Sequence, residues 1–199
     1  ASLDGGGWLA GRDQDRAFVP ASAAKLFTAA LALSWLGADH RFVTLITAGE
    51  PPDASGRLAG DLTLVGGGDP TMSARPMPYG ESQATGNPLR AIEELAEQLV
   101  ARGVRRVEGN VVGDDTVYPW EPYSEGMAQE DALWDYGAPV SALTLNENRV
   151  TLTVRAAERS GEPARIRLSP PLEYFVIENR VRTMAAGETR IQFERMQGS

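Results

Sequence analysis

Cysteine is absent from this chain, which excludes disulfides, thiol nucleophiles and thiolate metal ligands. Histidine occurs once, at His40, too few for an ordinary zinc site. A Ser-His-Asp triad would have to recruit that one residue, and no G-x-S-x-G elbow is present, so a structural His40 is expected. No apolar run approaches the roughly 20 residues that span a bilayer. No signal-peptide pattern is found either, and an export signal, if there was one, is expected to have been removed already. Positive charge is scarce, with a net of −8, which argues against nucleic acid as a partner. Among the strongly basic side chains the amine is scarce, because Lys25 is the only lysine beside eighteen arginines.

That lysine lies three residues after Ser22, in Pro20-Ala-Ser-Ala-Ala-Lys-Leu-Phe-Thr28. Arginine stays protonated in proteins, whereas a desolvated lysine can lose its proton and act as a base. Pro20 suits a helix start, and residues 21–36 read as helix closed by Gly37. Leu26, Phe27, Ala30, Leu31, Leu33, Trp35 and Leu36 wrap nearly its whole circumference, which predicts burial. Ser22 and Lys25 share a face of that helix, and Ser22 falls in its first turn, where free N–H groups favour developing negative charge. Burial would lower the lysine pKa, as a general base requires. The pattern points to a serine nucleophile with a lysine base; the plainer alternative is a structural pair.

Along the chain, 8–18 reads as a strand pair or a strand with a polar turn at Gly11-Arg-Asp-Gln-Asp15, 41–47 as a strand, 49–56 as a loop, and 60–65 as a strand entering Gly66-Gly-Gly-Asp-Pro70. Those glycines lack a following Gly-Lys-Ser/Thr, so a turn is expected rather than a phosphate cradle. Residues 71–88 read as an irregular excursion, 88–102 as an amphipathic helix ended by Gly103, and 104–112 as a strand leading into Gly113-Asp114-Asp115. A second irregular stretch, 116–137, carries Tyr118, Trp120, Tyr123, Trp134 and Tyr136. Such rings can line a groove; more often they pin a loop to its domain. The remainder reads as strands at 141–145, 149–155, 165–168, 175–182 and 189–195, with Asn146-Glu-Asn148 as a hairpin turn. Strand, helix and strand followed by a β-rich half gives an α+β fold.

Four segments occur in order: the serine–lysine segment, Gly60-Asp-Leu-Thr-Leu-Val-Gly-Gly-Gly-Asp-Pro-Thr71, Gly113-Asp-Asp-Thr-Val-Tyr118 and Tyr136-Gly-Ala-Pro-Val-Ser-Ala-Leu-Thr-Leu-Asn-Glu-Asn148. Together they resemble the class C penicillin-binding proteins, the D-alanyl-D-alanine carboxypeptidase/endopeptidases of bacterial cell walls. The resemblance implies part of a penicillin-binding, β-lactamase-like serine transpeptidase domain over residues 1–47, followed by a β-rich insertion over 48–199. It implies Ser22 as nucleophile and oxyanion N–H donor, and Lys25 as its base. It also implies peptidoglycan stem peptides as substrates, β-lactam antibiotics as acylating ligands, no cofactor, and an exported protein of the periplasm or cell envelope. In the family an acidic residue at the end of the Gly-Asp-Asp segment reads the amino end of the stem-peptide side chain. Asp114 is the better positional match and Asp115 the second; a solvated turn is the alternative for both.

Two family motifs are missing. No serine is followed two residues later by asparagine, and no second lysine exists to form K-T-G. Arg159-Ser-Gly161 imitates K-T-G but sits between two predicted strands, as a turn would. In the family both motifs follow the insertion, so the chain is expected to be the N-terminal part of a longer enzyme, poorly active by itself. A rival reading from another class is a non-catalytic peptidoglycan-binding or scaffold module with a relic S-x-x-K. A β-lactamase-like hydrolase fits less well, because 60–71 and 136–148 do not resemble that group.

Overall fold

The computed structural model describes residues 5–6, 10–13, 15–75 and 86–195. The chain divides into two compact units, Ala1–Arg41 and Phe42–Ser199. Parts of the expected 8–18 strand pair and of the 71–88 excursion lie outside the described residues. The described residues of 10–18 contain no strand.

The first unit holds a 3₁₀ turn, Ala21–Ala23, running into helix α1, Ala24–Leu36. Gly37 closes the helix with φ +83° while its N–H bonds back to Leu33 at 3.1 Å, the left-handed exit that glycine allows. Burial of α1, expected from its all-round apolar surface, is not found. Every α1 residue is exposed, Phe27 at 75% and Trp35 at 80%. The unit's described residues contain no second helix or strand for α1 to pack on.

The second unit begins with strand β1, Leu45–Ala48, followed by β2, Arg57–Leu58, and β3, Leu62–Val65. Helix α2, Arg90–Ala101, leads to β4, Arg106–Val107, and β5, Val111–Asp114. β3 is the centre of a three-stranded sheet, antiparallel to β1 and parallel to β5, with α2 in the crossover that parallel pairing needs. β2 and β4 form a second, two-stranded parallel ladder. Asn87 starts α2 by accepting the Leu89 N–H at 2.9 Å, and Gly103 ends it at φ +91°. Leu99 of α2 packs with Ile46 and Val107 on a core of Leu58, Leu62 and Val104. The expected strand 104–112 is split into β4 and β5 by a turn in which Asn110 N–H bonds the Asp61 carboxylate at 2.7 Å.

Downstream, β6, Thr151–Arg155, and β7, Arg165–Ser169, form an antiparallel ribbon. The strands expected at 141–145, 175–182 and 189–195 are absent; of these only Arg182 makes an isolated bridge, to Pro163. At 141–145 local bonds replace a ladder: Ser141 Oγ donates to the Leu143 carbonyl at 2.7 Å and accepts its N–H at 3.2 Å. Asn146, Glu147 and Asn148 then have φ of +49°, +57° and +51°, a left-handed run instead of a two-strand turn.

Candidate active site

Pro20 precedes the 3₁₀ turn that carries Ser22, and Lys25 follows in the first turn of α1. This places the two side chains one turn apart, and Lys25 Nζ donates to Ser22 Oγ at 3.3 Å. A neutral amine in the same position would accept the hydroxyl proton. Ala21, immediately before Ser22, has φ +45°, a sparsely populated conformation for a residue with a Cβ. Both side chains are exposed, so the burial expected around Lys25 is not provided by the described residues.

The two aspartates lie in the other compact unit, at the end of β5. Asp114 is level with Val65, and its carbonyl accepts the Gly66 N–H at 2.8 Å. Its Oδ1 accepts from the Thr116 hydroxyl at 2.7 Å and the Thr116 N–H at 3.0 Å, bonds that lower its pKa. One oxygen of Asp114 is therefore committed to its own turn. Asp115 is half-buried and has no hydrogen-bond or ion-pair partner among the described residues. The same Asp-x-Ser/Thr turn recurs at Asp69–Thr71 and Asp53–Ser55.

Beside Asp114, the Gly66-Gly67-Gly68 segment is approached by three separate parts of the chain. The Ala142 backbone meets Gly66, the Val43 carbonyl meets Gly67, and the Tyr118 ring meets Gly68. No helix begins there, in keeping with the turn expected from sequence. The following segment is tied down as well. Asn146 N–H bonds the Met72 carbonyl at 2.7 Å, and Gly68 N–H bonds that of Ala142 at 2.7 Å.

One cluster has no signal in the sequence. Glu147 lies between two guanidiniums, with Arg149 Nη2 and Arg75 Nε each 2.5 Å from its carboxylate. Arg149 Nη1 also reaches Asp135 at 3.1 Å. The Nε atoms of Arg75 and Arg149 are buried without a hydrogen-bond partner among the described residues; Arg75 Nε is itself ion-paired to Glu147, whereas Arg149 pairs through its two Nη atoms. Arg75 and Glu147 are 72 positions apart, which no local pattern could link.

Four of the five rings of 118–136 divide between the two expected roles, and Trp120 is exposed at 72%. Trp134 packs edge-on to Phe193 at 6.2 Å, and Tyr118 covers Gly68. Tyr123 and Tyr136 line an open groove of about 530 Å³ with Glu121, Glu125 and Met127. Arg159-Ser-Gly161 forms a turn with Gly161 at φ +87°, between β6 and β7 and not on a strand.

A sequence model of the D-Ala-D-Ala carboxypeptidase 3 (S13) family matches residues 1–198. The D-alanyl-D-alanine carboxypeptidase of Actinomadura sp. (strain R39) is 37% identical over 184 residues, covering 90% of this chain. The carboxypeptidase DacB of Mycolicibacterium smegmatis is 34% identical over 145 residues, covering 73% of it. The chain spans only 31% and 29% of the lengths of those two relatives. The crystal structure of penicillin binding protein 4 (dacB) from Haemophilus influenzae shares the fold, with a TM-score of 0.59 and 23% identity. That likeness covers 75% of this chain and 29% of the other.

Proposed function

The chain belongs to the D-Ala-D-Ala carboxypeptidase 3 (S13) family, and from that premise we propose that it carries the nucleophile and base of a serine carboxypeptidase/endopeptidase acting on peptidoglycan stem peptides. The observation that carries this reading is the Ser22–Lys25 pair, one helical turn apart with Nζ 3.3 Å from Oγ.

In the proposed reaction Ser22 Oγ attacks the carbonyl joining two D-alanines while Lys25 Nζ takes its proton. The carbonyl oxygen becomes an oxyanion, stabilised in part by the Ser22 N–H at the head of the helix. Collapse breaks the C–N bond and expels the terminal D-alanine, whose amine takes the proton held by Lys25, leaving an ester on Ser22 and a neutral Lys25. Water then hydrolyses that ester, with Lys25 as base again. A β-lactam would acylate the same oxygen by opening its strained ring. Stem peptides and β-lactams are thus the proposed partners, and the periplasm or cell envelope the proposed location.

We assign residues 1–47 to the catalytic domain and 48–199 to an insertion. The compact-unit division near Arg41 supports a boundary in that region. The exposed apolar surface of α1 and the greater length of the relatives support a further step. In the longer polypeptide, additional segments would cover this helix, desolvate Lys25 and contribute the missing S-x-N and K-T-G groups. For substrate reading at the stem-peptide amine we retain Asp114 and Asp115. Asp115 is favoured by its freedom from local bonds, and Asp114 by its match to the family position.

The test is mass spectrometry of the longer protein after incubation with a penicillin. A single adduct on Ser22, lost in Ser22→Ala, is expected. Absence of any adduct at full length would overturn the assignment and favour a non-catalytic wall-binding module.

A further inference from the structure

The pairing of β6 with β7 sets Thr151 opposite Ser169, Thr153 opposite Arg167 and Arg155 opposite Arg165. Residues paired in this way, and residues two apart along a strand, share one face of a ribbon. Three guanidiniums and three hydroxyls therefore stand on one side, and all but Thr153 belong to exposed residues. The other side carries Leu152, Val154, Ile166 and Leu168, the last three half-buried. The apolar side is the more covered of the two, although Leu152 is 41% exposed, and the basic side is open.

This arrangement does not serve the ribbon's own stability. Like charges directly opposite each other destabilise a strand pair, and long side chains on the diagonal also come within reach. Arg165 has one carboxylate partner, Glu158 at 2.8 Å, in an exposed pair. Arg155 and Arg167 have none among the described residues. Elsewhere Arg57, Arg75, Arg90, Arg149, Arg180 and Arg190 are ion-paired, whereas Arg102 and Arg105 bond only backbone carbonyls, so what sets the ribbon apart is the placing of three arginines on one face. Residues 151–182 hold six arginines against four glutamates, a net of +2 in a chain of −8. The two strands themselves, Thr151–Arg155 and Arg165–Ser169, carry three arginines and no acidic residue, a local excess of positive charge that a polyanion can use.

Guanidinium forks and hydroxyls together match phosphate oxygens, which accept from both. Donors on this side recur about every 7 Å along each strand, so successive acidic groups of an extended polymer can be bound in series. No aromatic residue stands on the face, so it has no platform on which bases could stack. We propose that the outward face of β6–β7 docks a base-free linear polymer bearing repeated phosphate groups, held by Arg155, Arg165 and Arg167.

The probe is end-labelled inorganic polyphosphate, titrated against the whole 199-residue chain at low salt and followed by fluorescence anisotropy. Binding is expected, with log K falling linearly as log salt rises. The double variant Arg155→Thr/Arg167→Thr, which keeps strand-favouring side chains, should bind about tenfold or more weakly, with a salt slope shallower by about one to two. Arg190→Gln, at an exposed pair outside the ribbon, should bind as the parent does. Circular dichroism checks the fold. If the threonine variant does not fold, Arg155→Lys/Arg167→Lys takes its place, and about a two- to fivefold loss is expected from losing the forked geometry. No binding at low salt, or equal loss in Arg190→Gln, overturns the proposal. So does equal or tighter binding of polyglutamate or single-stranded DNA.

Discussion

The Tyr118 ring closes over Gly68: a Cβ at position 68 would stand 2.7 Å from Tyr118 Cε2 and 2.8 Å from its hydroxyl. Gly68 also has φ +75°, where a side chain costs about 1–2 kcal/mol before any clash. Gly68→Ala is therefore expected to destabilise the protein by about 1–3 kcal/mol. Tyr118 is 48% exposed, so its ring has room to swing aside. In a Tyr118→Ala background the cost of Gly68→Ala should shrink to the backbone part alone. Urea unfolding of the four proteins in this cycle measures the coupling; a cost that does not change with background would mean the ring is not what excludes a side chain.

Glu147 combines a left-handed backbone with two arginine partners, and the two features predict an unusual order of substitutions. Glu147→Ala loses the ion pairs and keeps the strain of φ +57°. Glu147→Gly loses the same pairs but tolerates that φ. Glu147→Gly should therefore be less destabilising than Glu147→Ala, by about 1 kcal/mol. Thermal unfolding of both variants decides this. The reverse order would show that residue 147 does not hold the left-handed conformation in solution.

Asp53 yields a prediction about acid. Its carboxylate accepts from the Ser55 hydroxyl at 2.6 Å, and from the N–H of Arg57 at 3.0 Å and its Nε at 3.1 Å. The Ser55 bond is the largest cause of a pKa held far below the ordinary 3.8, and the Arg57 bonds follow. A folded pKa below the unfolded one stabilises the fold fully above the unfolded value. The contribution is lost as pH falls toward the folded one. Carbon-detected NMR should find Asp53 still ionised at a pH where unperturbed aspartates have titrated. Asp53→Asn should flatten the dependence of stability on pH in the acid range. A midpoint near 3.8 would contradict the hydrogen-bonded turn.

Periodic and punctuated segments were legible in the sequence, and segments fixed by distant contacts were not. Helix α2 follows from its apolar stripe, Asn87 and Gly103, and Gly37 marks the end of α1. The strand expected at 175–182 does not form and Val176 is wholly exposed, because strand propensity forms no ladder without a neighbouring edge to bond. The same limit applies to the site. Ser22 and Lys25 are three apart on one helix, and their contact can be read from spacing. The Arg75–Glu147–Arg149 cluster and the three approaches to Gly66-Gly67-Gly68 arise from tertiary placement and leave no local trace. The exposure of α1 has a related reason. Its surface pattern says that the helix needs cover, and nothing in the pattern says where the cover comes from.

The exposure of Lys25 separates its chemical role from any structural one. In this chain it makes one 3.3 Å bond to an exposed serine, so Lys25→Met should change stability by no more than about 0.5 kcal/mol. In the longer protein proposed above, the same substitution removes the proposed base, and acylation by a penicillin should fall by at least about a hundredfold, the lower range for general-base loss. Lys25→Arg retains charge and approximate length but cannot give up a proton near neutral pH, so it should fail to acylate as Lys25→Met does. Stopped-flow acylation of the longer protein, with unfolding curves for the 199-residue chain, tests both halves. Substantial acylation by Lys25→Arg would show that a positive charge beside Ser22 suffices, and the base would have to be sought elsewhere.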